Sequence, residues 1–251
     1  MTSSMATKAA PRIRGPVSKR ELVLDLCRGK DVLDLGCVEH SWEMATANPN
    51  WLHARIREVA RSCVGVDFLE HDVARLVERG YDVRVGNVLT DEPPGQFDVV
   101  VAGDLVEHVE NPGVLFDYVA SALRPGGVAV VTTPNAFYPA QLWTILGRGR
   151  PEISPEHVAM YDPFTFANLV ERGPLRIREV FWLDLAWSAF SRARNPVVRW
   201  GIWAPLHALT RALVRLRPYL ASDFAVVLEL REGGSFDPAE SGRRVMQFLQ
   251  S

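Results

Sequence analysis

The chain has 251 residues, of which 47% are apolar and 23% are charged, and its formal net charge is −2. These values are typical of a soluble globular protein with one α/β domain, and they give no global reason to expect a nucleic acid partner. The three scattered cysteines form no CxxC pair, which argues against a zinc site or a disulfide framework and favours a reducing, cytoplasmic setting.

Residues 1–20 are predicted to be a flexible lead-in, because they combine Pro, Ser, Ala and basic residues without an apolar block. A secretory signal would need that block, and no stretch of the chain reaches the length of a transmembrane helix. We therefore expect the folded domain to occupy residues 21–232. Residues 233–251 are predicted to form a C-terminal tail with a short amphipathic helix.

Short apolar runs alternate with helical patterns along the predicted domain. This alternation predicts βαβ units and a doubly wound, mostly parallel sheet that binds its ligands at the carboxyl ends of the strands. The predicted strands span residues 31–37, 63–68, 82–88, 97–103, 128–133, 176–185 and 224–231. The predicted helical segments span residues 41–61 with a break near Pro49, 69–79, 114–123 and 162–171.

The first strand ends in Asp34-Leu35-Gly36-Cys37. Gly36 allows a sharp turn and a close approach of a ligand to the backbone, and the Asp34 carboxylate is placed to accept bonds from a cationic ligand. The second strand ends in Asp67, where a carboxylate can accept both vicinal hydroxyls of a ribose. Asn87 ends the third strand, so three neighbouring strands predict a nucleoside-binding edge.

Over roughly residues 20–185 the chain resembles the class I S-adenosylmethionine-dependent methyltransferases. The landmarks are Val32–Cys37, Val64–Asp67, Phe97–Gly103, Leu123–Gly127 and Thr132–Asn135. The resemblance implies S-adenosylmethionine as cofactor. It also implies a Rossmann-like sheet of seven strands, mostly parallel, with an antiparallel last strand and a helical insertion before it.

The resemblance also implies roles for single residues. The first turn would lie near the methionine part of the cofactor, Asp67 would hold the ribose, and Phe68 would pack on the adenine. Asn87 and Val88 would contact the edge and face of the adenine, and Gly103 would contact the amino-acid portion through its backbone. The predicted cofactor-binding residues are Asp34, Gly36, Cys37, His40, Asp67, Phe68, Asn87, Val88, Gly103 and Asp104.

The first turn departs from the family pattern. Where a Gly-x-Gly run is usual, the chain has Val38-Glu39-His40, so the loop must take a different course. His40 either faces the cofactor or substrate, or caps and packs within the altered loop. Hydride transfer with a nicotinamide cofactor is disfavoured, because the phosphate-binding glycines are missing and Glu39 would repel a pyrophosphate.

Asp104-Leu-Val-Glu107-His108 directly follows the fourth strand, and His157 follows the fifth. This arrangement resembles ubiquinone-pathway O-methyltransferases and small-RNA terminal 2′-O-methyltransferases, where such a cluster binds a divalent metal. The resemblance implies that Asp104, Glu107, His108 and His157 bind Mg²⁺ or another divalent ion. Asp104 occupies the position where those families usually have Glu, so the side chain that carries the carboxylate is shorter than theirs.

Two other interpretations of this motif remain open. His108 could act as a general base without any metal, with Glu107 and His157 as the other catalytic candidates. Alternatively, Glu107 and His108 only cap and pack beneath the following helix.

Residues 185–222 contain six arginines, three tryptophans and no acid. Five leucines fall at helical spacing, namely Leu206, Leu209, Leu213, Leu216 and Leu220. One interpretation is a helical cap whose leucines pack on the sheet or on a second subunit of a homodimer. A second is an interfacial helix in peripheral contact with a membrane, and a third is an arginine-lined pocket for an anionic substrate.

The leading hypothesis is O-methylation of a hydroxyl on a small molecule or saccharide, as in the bacterial glycan and secondary-metabolite methyltransferases that the layout resembles. N- or C-methylation of a secondary metabolite is one alternative. A non-catalytic binding protein with a methyltransferase fold is another, and the altered Val38–His40 loop motivates it.

Overall fold

The computed structural model describes residues 12–183, 197 and 199–231. They form one eight-stranded sheet. The strands are β1 (Arg12–Val17), β2 (Asp31–Leu35), β3 (Ser62–Asp67), β4 (Val83–Val85), β5 (Phe97–Gly103), β6 (Leu123–Pro134), β7 (Leu175–Leu183) and β8 (Asp223–Leu230). Their order across the sheet is β1-β7-β8-β6-β5-β2-β3-β4, and β8 runs antiparallel to both of its neighbours while the other pairs are parallel.

Helices cover both faces of this sheet. They are α1 (Lys19–Cys27), α2 (Trp42–Ala47), α3 (Leu52–Val59), α4 (Glu70–Val77), α5 (Pro112–Ala122), α6 (Pro139–Arg148), α7 (Pro163–Val170) and α8 (Ala204–Leu216). A π-helical turn at Arg199–Trp203 precedes α8, and a 3-10 turn at Pro218–Leu220 follows it. No helix among the described residues is both long enough and apolar enough to cross a membrane.

Alternate residues of the central strand β5 enter different halves of the core. Val99 and Val101 pack with side chains of α1 and α3, whereas Val100 and Ala102 pack with side chains of α5 and α7. Because both faces of the sheet are covered, the sequence of β5 is one continuous apolar run and does not alternate between apolar and polar residues. The predicted mostly parallel, doubly wound sheet with an antiparallel last strand is thereby confirmed.

The N-terminal segment differs from its prediction. Residues 12–17 form β1, an eighth strand at the edge of the sheet beside β7, and α1 begins at Lys19. The flexible lead-in predicted for residues 1–20 is therefore wrong from residue 12 onward, while residues 1–11 lie outside the described chain. A six-residue strand interrupted by Gly15 and Pro16 has too little periodicity to predict, and its backbone pairing with β7 stabilises it.

The helical insertion also differs in detail. The buried face of α8 consists of Thr210 and Val214, whereas Leu209 and Leu216 of the leucine stripe are 45% and 69% exposed. These two leucines do not pack on the sheet, whose side of α8 holds the Thr210 hydroxyl, and that hydroxyl accepts the indole N–H of Trp143 at 2.9 Å. Residues 184–196 of the insertion and the predicted tail at 233–251 lie outside the described chain. Contact with a membrane or a second subunit stays a prediction.

Gly65 lies in the middle of β3, between Asp34 of β2 and Val83 of β4. A Cβ atom there would lie 2.6 Å from Cys37 Sγ and 2.7 Å from Val83 Cγ1. We expect Gly65→Ala to lower the free energy of unfolding by about 2–3 kcal/mol, because buried neighbours cannot move away without strain. Chemical denaturation measures this, with Gly201→Ala as control, since no atom lies within 4 Å of its added Cβ. Equal stability of the two variants would contradict the crowding.

Candidate active site

The carboxyl ends of β2, β3, β5 and β6 meet at one edge of the sheet. Their parallel register places Leu35 beside both Val66 and Ala102, and it places Gly103 beside Thr132. The turns that follow these strands therefore share one edge. Most of the residues predicted to bind cofactor or catalyse lie on those turns.

Asp34 is buried at the end of β2, and its carboxylate lies within hydrogen-bond distance of His53 of α3. The distance between Asp34 Oδ2 and His53 Nδ1 is 2.9 Å, and both side chains are almost fully inaccessible to solvent. The contact between Asp34 and His53 thus links the end of β2, where the first turn begins, to α3. The contact joins residues 19 positions apart on different elements, so it could not be predicted from local sequence.

The turn after β2 keeps its glycine but uses its other residues in an unusual way. Gly36 has φ +69° and donates its N–H to Val66 O, which fixes the sharp bend. Cys37 is buried, and its carbonyl accepts the indole N–H of Trp51 at 2.8 Å, so its side chain faces the core rather than the edge. His40 has φ +59°, a conformation that usually falls to glycine.

Two side chains of this loop reach toward other segments. Glu39 accepts a hydrogen bond from the Asn48 amide at 2.7 Å. The His40 Nδ1 atom lies 3.7 Å from a carboxylate oxygen of Glu156, so His40 faces the loop that carries His157. The loop that replaces the missing glycines is thus held by two side-chain contacts, one to Asn48 and one to Glu156.

Asp67 is buried at the end of β3. One of its oxygens accepts the N–H of Val38 at 2.9 Å and the other accepts the N–H of Leu69 at 3.2 Å. Burial raises the pKa of this carboxyl above its ordinary value. The carboxylate therefore anchors the altered loop, and it retains acceptor capacity for a further donor such as a ribose hydroxyl.

The residues predicted to meet the adenine lie beside Asp67. Phe68 follows it directly and is 68% exposed, which leaves its ring open to a planar ligand. Asn87 is exposed after β4, in a turn where its N–H donates to Asp91 and its side-chain oxygen accepts from the N–H of Leu89. Val88 is half-buried against the core beside them.

Asp104 follows β5 in the left-handed region, with φ +50°. Its backbone N–H and one carboxylate oxygen both bond to Thr132, and Thr132 donates to that oxygen at 2.7 Å. The other oxygen binds the Lys19 ammonium at 2.5 Å, which is an ion pair across 85 positions of sequence. Lys19 also passes close to Gly103, because a Cβ there would lie 4.0 Å from Lys19 Cε.

Glu107, His108 and His157 come together next to this ion pair. One ligand atom from each lies within 4.8 Å of the other two, and the two imidazole rings meet edge to face with centroids 4.7 Å apart. The Glu107 carbonyl accepts the N–H of Val158 at 2.9 Å, which holds the loop carrying His157 against the turn carrying His108. The hydroxyl of Thr133 donates to Glu107 Oε2 at 3.0 Å.

Burial dominates the acid–base properties of this cluster. Glu107 is 1% exposed, and burial, with a further contribution from Asp104, raises its pKa to about 8. Burial and the neighbouring His108 lower the pKa of His157 below its ordinary value. A buried carboxyl group with a raised pKa beside two imidazoles suits proton transfer, and the same groups also suit a bound cation.

Three of the four residues expected to form a metal site come together, and the Asp104 carboxylate instead contacts Thr132 and Lys19. The left-handed backbone of Asp104 turns its carboxylate toward Thr132 and Lys19. Glu107 and His108 instead lie on the following turn, which the bond from the His108 N–H to Leu105 O closes. Spacing along the sequence could not show this change of direction.

Four residues of the site were not identified from the sequence, namely Lys19, His53, Thr132 and Thr133. Lys19 was placed in the flexible lead-in, and His53 carried no motif. Thr132 and Thr133 were quoted only as landmarks of a strand. Their contacts to Asp104, Asp34 and Glu107 depend on which strand ends are adjacent, and that is a property of the fold rather than of local sequence.

The fold and this edge define a Rossmann-like enzyme domain that binds a nucleoside-containing cofactor. A family model described as methyltransferase domain matches residues 9–180, and the chain therefore belongs to that family. The residues that match include Lys19 and all the turns described above.

Individual relatives agree with this family. A probable S-adenosylmethionine-dependent methyltransferase of Mycolicibacterium smegmatis is 30% identical over 158 residues, covering 61% of this chain and 54% of that protein. A ubiquinone biosynthesis O-methyltransferase of Shewanella pealeana is 32% identical over 127 residues, covering 47% of this chain and 50% of that protein. The chain thus spans about half the length of these two curated relatives.

A solved structure supports the fold over most of the chain. It is the O-methyltransferase from a trans-AT PKS multienzyme of Brevibacillus brevis, in complex with S-adenosyl-L-homocysteine. Its TM-score is 0.55 at 14% identity, and the match covers 96% of this chain and 89% of that one.

Proposed function

We propose that this protein transfers the methyl group of S-adenosylmethionine to a hydroxyl oxygen of a small molecule or saccharide. The observation that carries the proposal is the convergence of Glu107, His108 and His157 beside the predicted cofactor turns. Membership of the methyltransferase domain family supports the cofactor. The O-methyltransferases among the relatives and solved structures support oxygen as the acceptor atom.

Methyl transfer to a hydroxyl is an in-line displacement in which the acceptor must lose a proton. The protein's part is to align the oxygen with the methyl group and to take that proton. His108 is half-buried at the cofactor edge, and we assign the proton to it. Glu107 and His157 contact His108 closely enough to orient the ring and to tune its basicity.

The cluster also has the chemistry of a cation site. Glu107 Oε1 and His157 Nδ1 are buried and have no hydrogen-bond partner within the described chain. Two imidazoles and one carboxylate suit a first-row transition metal better than Mg²⁺, because Mg²⁺ prefers oxygen ligands. A bound cation would lower the pKa of an acceptor hydroxyl. Without Asp104, the donor set therefore favours Mn²⁺ or a later ion over the Mg²⁺ that the sequence first suggested.

The surroundings favour an acceptor with an apolar portion. Phe137 and Val158 lie on loops that follow β6 and His157, and they are 57% and 58% exposed. Such side chains offer a surface for a ring or an acyl chain beside the reacting hydroxyl. An amine acceptor would need less help from a base, so the buried Glu107 pairs better with a hydroxyl.

The test is methylation of hydroxylated acceptors by purified protein before and after thorough chelation, with products identified by mass. We expect O-methylated product, loss of turnover on chelation, and better recovery with Mn²⁺ than with Mg²⁺. Full turnover after chelation would refute the cation and leave His108 as an unassisted base. Exclusive N-methylation would refute oxygen as the acceptor. No calorimetric binding of S-adenosylmethionine at millimolar concentration would favour the non-catalytic alternative.

A further inference from the structure

An apolar stripe runs along the exposed side of α6. Leu142, Ile145 and Leu146 are spaced i, i+3 and i+4, so they share one face of the helix, and all three are exposed. The buried side chains of α6 are Ala140 and Thr144, which lie on the other face. A helix face in water usually carries polar side chains, so this stripe indicates a surface that binds something apolar.

The neighbouring helix α8 extends this apolar surface. It contacts α6 through the bond from Trp143 to Thr210, and the Arg148 guanidinium of α6 lies over the Trp203 ring just before α8. The π-helical turn and α8 expose four further large apolar side chains, namely Trp200, Ile202, Leu209 and Leu216. We call these four residues and the stripe on α6 the α6–α8 surface.

The chain around the α6–α8 surface is basic and carries no acid. Residues 136–151 and 199–222 contain no Asp or Glu, whereas segments of this combined length would carry about five at the chain's average of 30 in 251 residues. Arg148 lies 4.0 Å from Glu152, the acid that follows the first segment. The arginines of both segments that are exposed include Arg148, Arg150, Arg211, Arg215 and Arg217. A chain with a net charge of −2 thus concentrates positive charge beside its exposed apolar side chains.

This combination of groups fits the surface of an anionic lipid bilayer. Leucine, isoleucine and tryptophan side chains enter the boundary between headgroups and acyl chains, and arginines bind the lipid phosphates. A second copy of the chain fits less well. A two-fold interface built on this surface would bring the same arginines of both copies together without acids to pair with them.

The loop after β6 connects the α6–α8 surface to the candidate active site. The strand carries Thr133, which donates to Glu107, and α6 begins at Pro139, soon after the strand ends. In the same loop the Phe137 ring lies near the Tyr219 ring of the 3-10 turn after α8, with centroids 6.3 Å apart. A bilayer bound at the α6–α8 surface would therefore lie close to the edge where the acceptor is expected.

We propose that the α6–α8 surface docks the protein on anionic membranes by peripheral contact. The apolar side chains supply insertion, and the arginines supply the preference for anionic lipid. The proposal does not rest on the proposed function, because it concerns a surface outside the cluster of Glu107, His108 and His157. It goes beyond that function by stating where the protein works.

The test is sedimentation of the full chain with vesicles of phosphatidylcholine alone, and of phosphatidylcholine mixed two to one with phosphatidylglycerol. We expect the wild-type protein to bind the mixed vesicles at least about tenfold more tightly, and added salt to weaken that binding. Leu146→Glu should weaken binding to the mixed vesicles by about tenfold or more, because it removes inserted apolar area and adds a repelled charge. Arg150→Gln combined with Arg217→Gln should reduce the preference for phosphatidylglycerol by about tenfold.

Val77→Glu is the matched control. Val77 is an exposed apolar residue at the end of α4, which contacts β4 at the margin of the sheet away from β6 and β8. This variant should bind vesicles like wild type. Leu146 is 72% exposed, so Leu146→Glu should also keep the wild-type Tm, which shows that the variant is folded.

Three results would overturn the proposal. One is a wild-type protein that does not sediment with the mixed vesicles, and another is binding that is equal for both lipid compositions. The third is a protein that ignores vesicles but forms a dimer that Leu146→Glu dissociates, which would assign the surface to a second copy. Loss of methyl transfer to a soluble acceptor would concern the proposed function alone.

Discussion

Replacing His108 by alanine should lower kcat by about 10² to 10⁴-fold while leaving the Kd for S-adenosylmethionine nearly unchanged. The reason is that His108 lies in the cluster with Glu107 and His157, whereas the predicted cofactor contacts lie on the turns after β2, β3 and β4 and at Gly103 and Asp104, which precede the cluster. The loss therefore concerns proton removal rather than cofactor binding. Steady-state kinetics with saturating cofactor and calorimetry on the same preparation separate the two quantities.

His71→Ala is the control, because His71 is an exposed histidine of α4 away from the cluster. It should keep wild-type kcat. A fall in kcat of less than about threefold for His108→Ala, with normal cofactor binding, would contradict the assignment of the base. In that case an acceptor that needs no deprotonation, such as an amine, would fit better.

Replacing Glu107 by glutamine should have opposite effects on activity and on stability. Activity should fall by about a hundredfold or more, since an amide cannot release a proton and so cannot become the anionic ligand that a bound cation needs. Stability at alkaline pH should rise. Burial lifts the pKa of Glu107 from 4.5 to about 8, so the folded state binds its proton more tightly than the unfolded state does.

The sign of the pH dependence follows from that raised pKa. The stability that protonated Glu107 contributes is fully present below pH 4.5 and is lost as pH rises through about 8. The loss approaches about 1.4 kcal/mol per pH unit within that window. Glutamine stays neutral, so the variant should match wild type near pH 5 and exceed it at pH 9.

Denaturant unfolding at both pH values, with chelator present, measures this difference. Chelation matters because a bound cation would stabilise the ionised carboxylate of the wild-type protein. Glu110→Gln is the control, since Glu110 is exposed on the same connection and should alter neither property. A Glu107→Gln protein that loses stability at pH 9 would contradict the burial of an ionisable carboxyl.

The central part of the fold was predictable because the pattern of apolar residues in the sequence there matches the burial of those residues in the structure. Phe97–Gly103 is an unbroken apolar run, and it forms β5 with the predicted bounds. The strand predicted for residues 82–88 is shorter, because Gly86 makes the last backbone bond to Asp67 of β3 and Asn87 then turns to bond with Asp91. Short edge segments such as β1 are held by backbone pairing with neighbours that local sequence does not reveal.

For the site, the residue types were predictable but their partners were not. Asp67 was expected to serve a ribose, and the structure adds that it holds the N–H of Val38. Asp104 was expected beside Glu107, yet a left-handed backbone turns it toward Lys19. These differences arise from backbone dihedrals and from contacts between distant strands, which spacing along the chain does not encode.

β1 also shields the outer edge of β7, whose backbone groups would otherwise be open to pairing with a strand from another molecule. β1 is itself the new edge strand, but it is short and contains Pro16, which has no N–H for a further strand to pair with. The same six residues direct the chain to Lys19, the first residue of α1, whose ammonium binds Asp104 at the candidate active site. A segment that carries no recognisable motif therefore both closes the sheet and contributes to the geometry of the site.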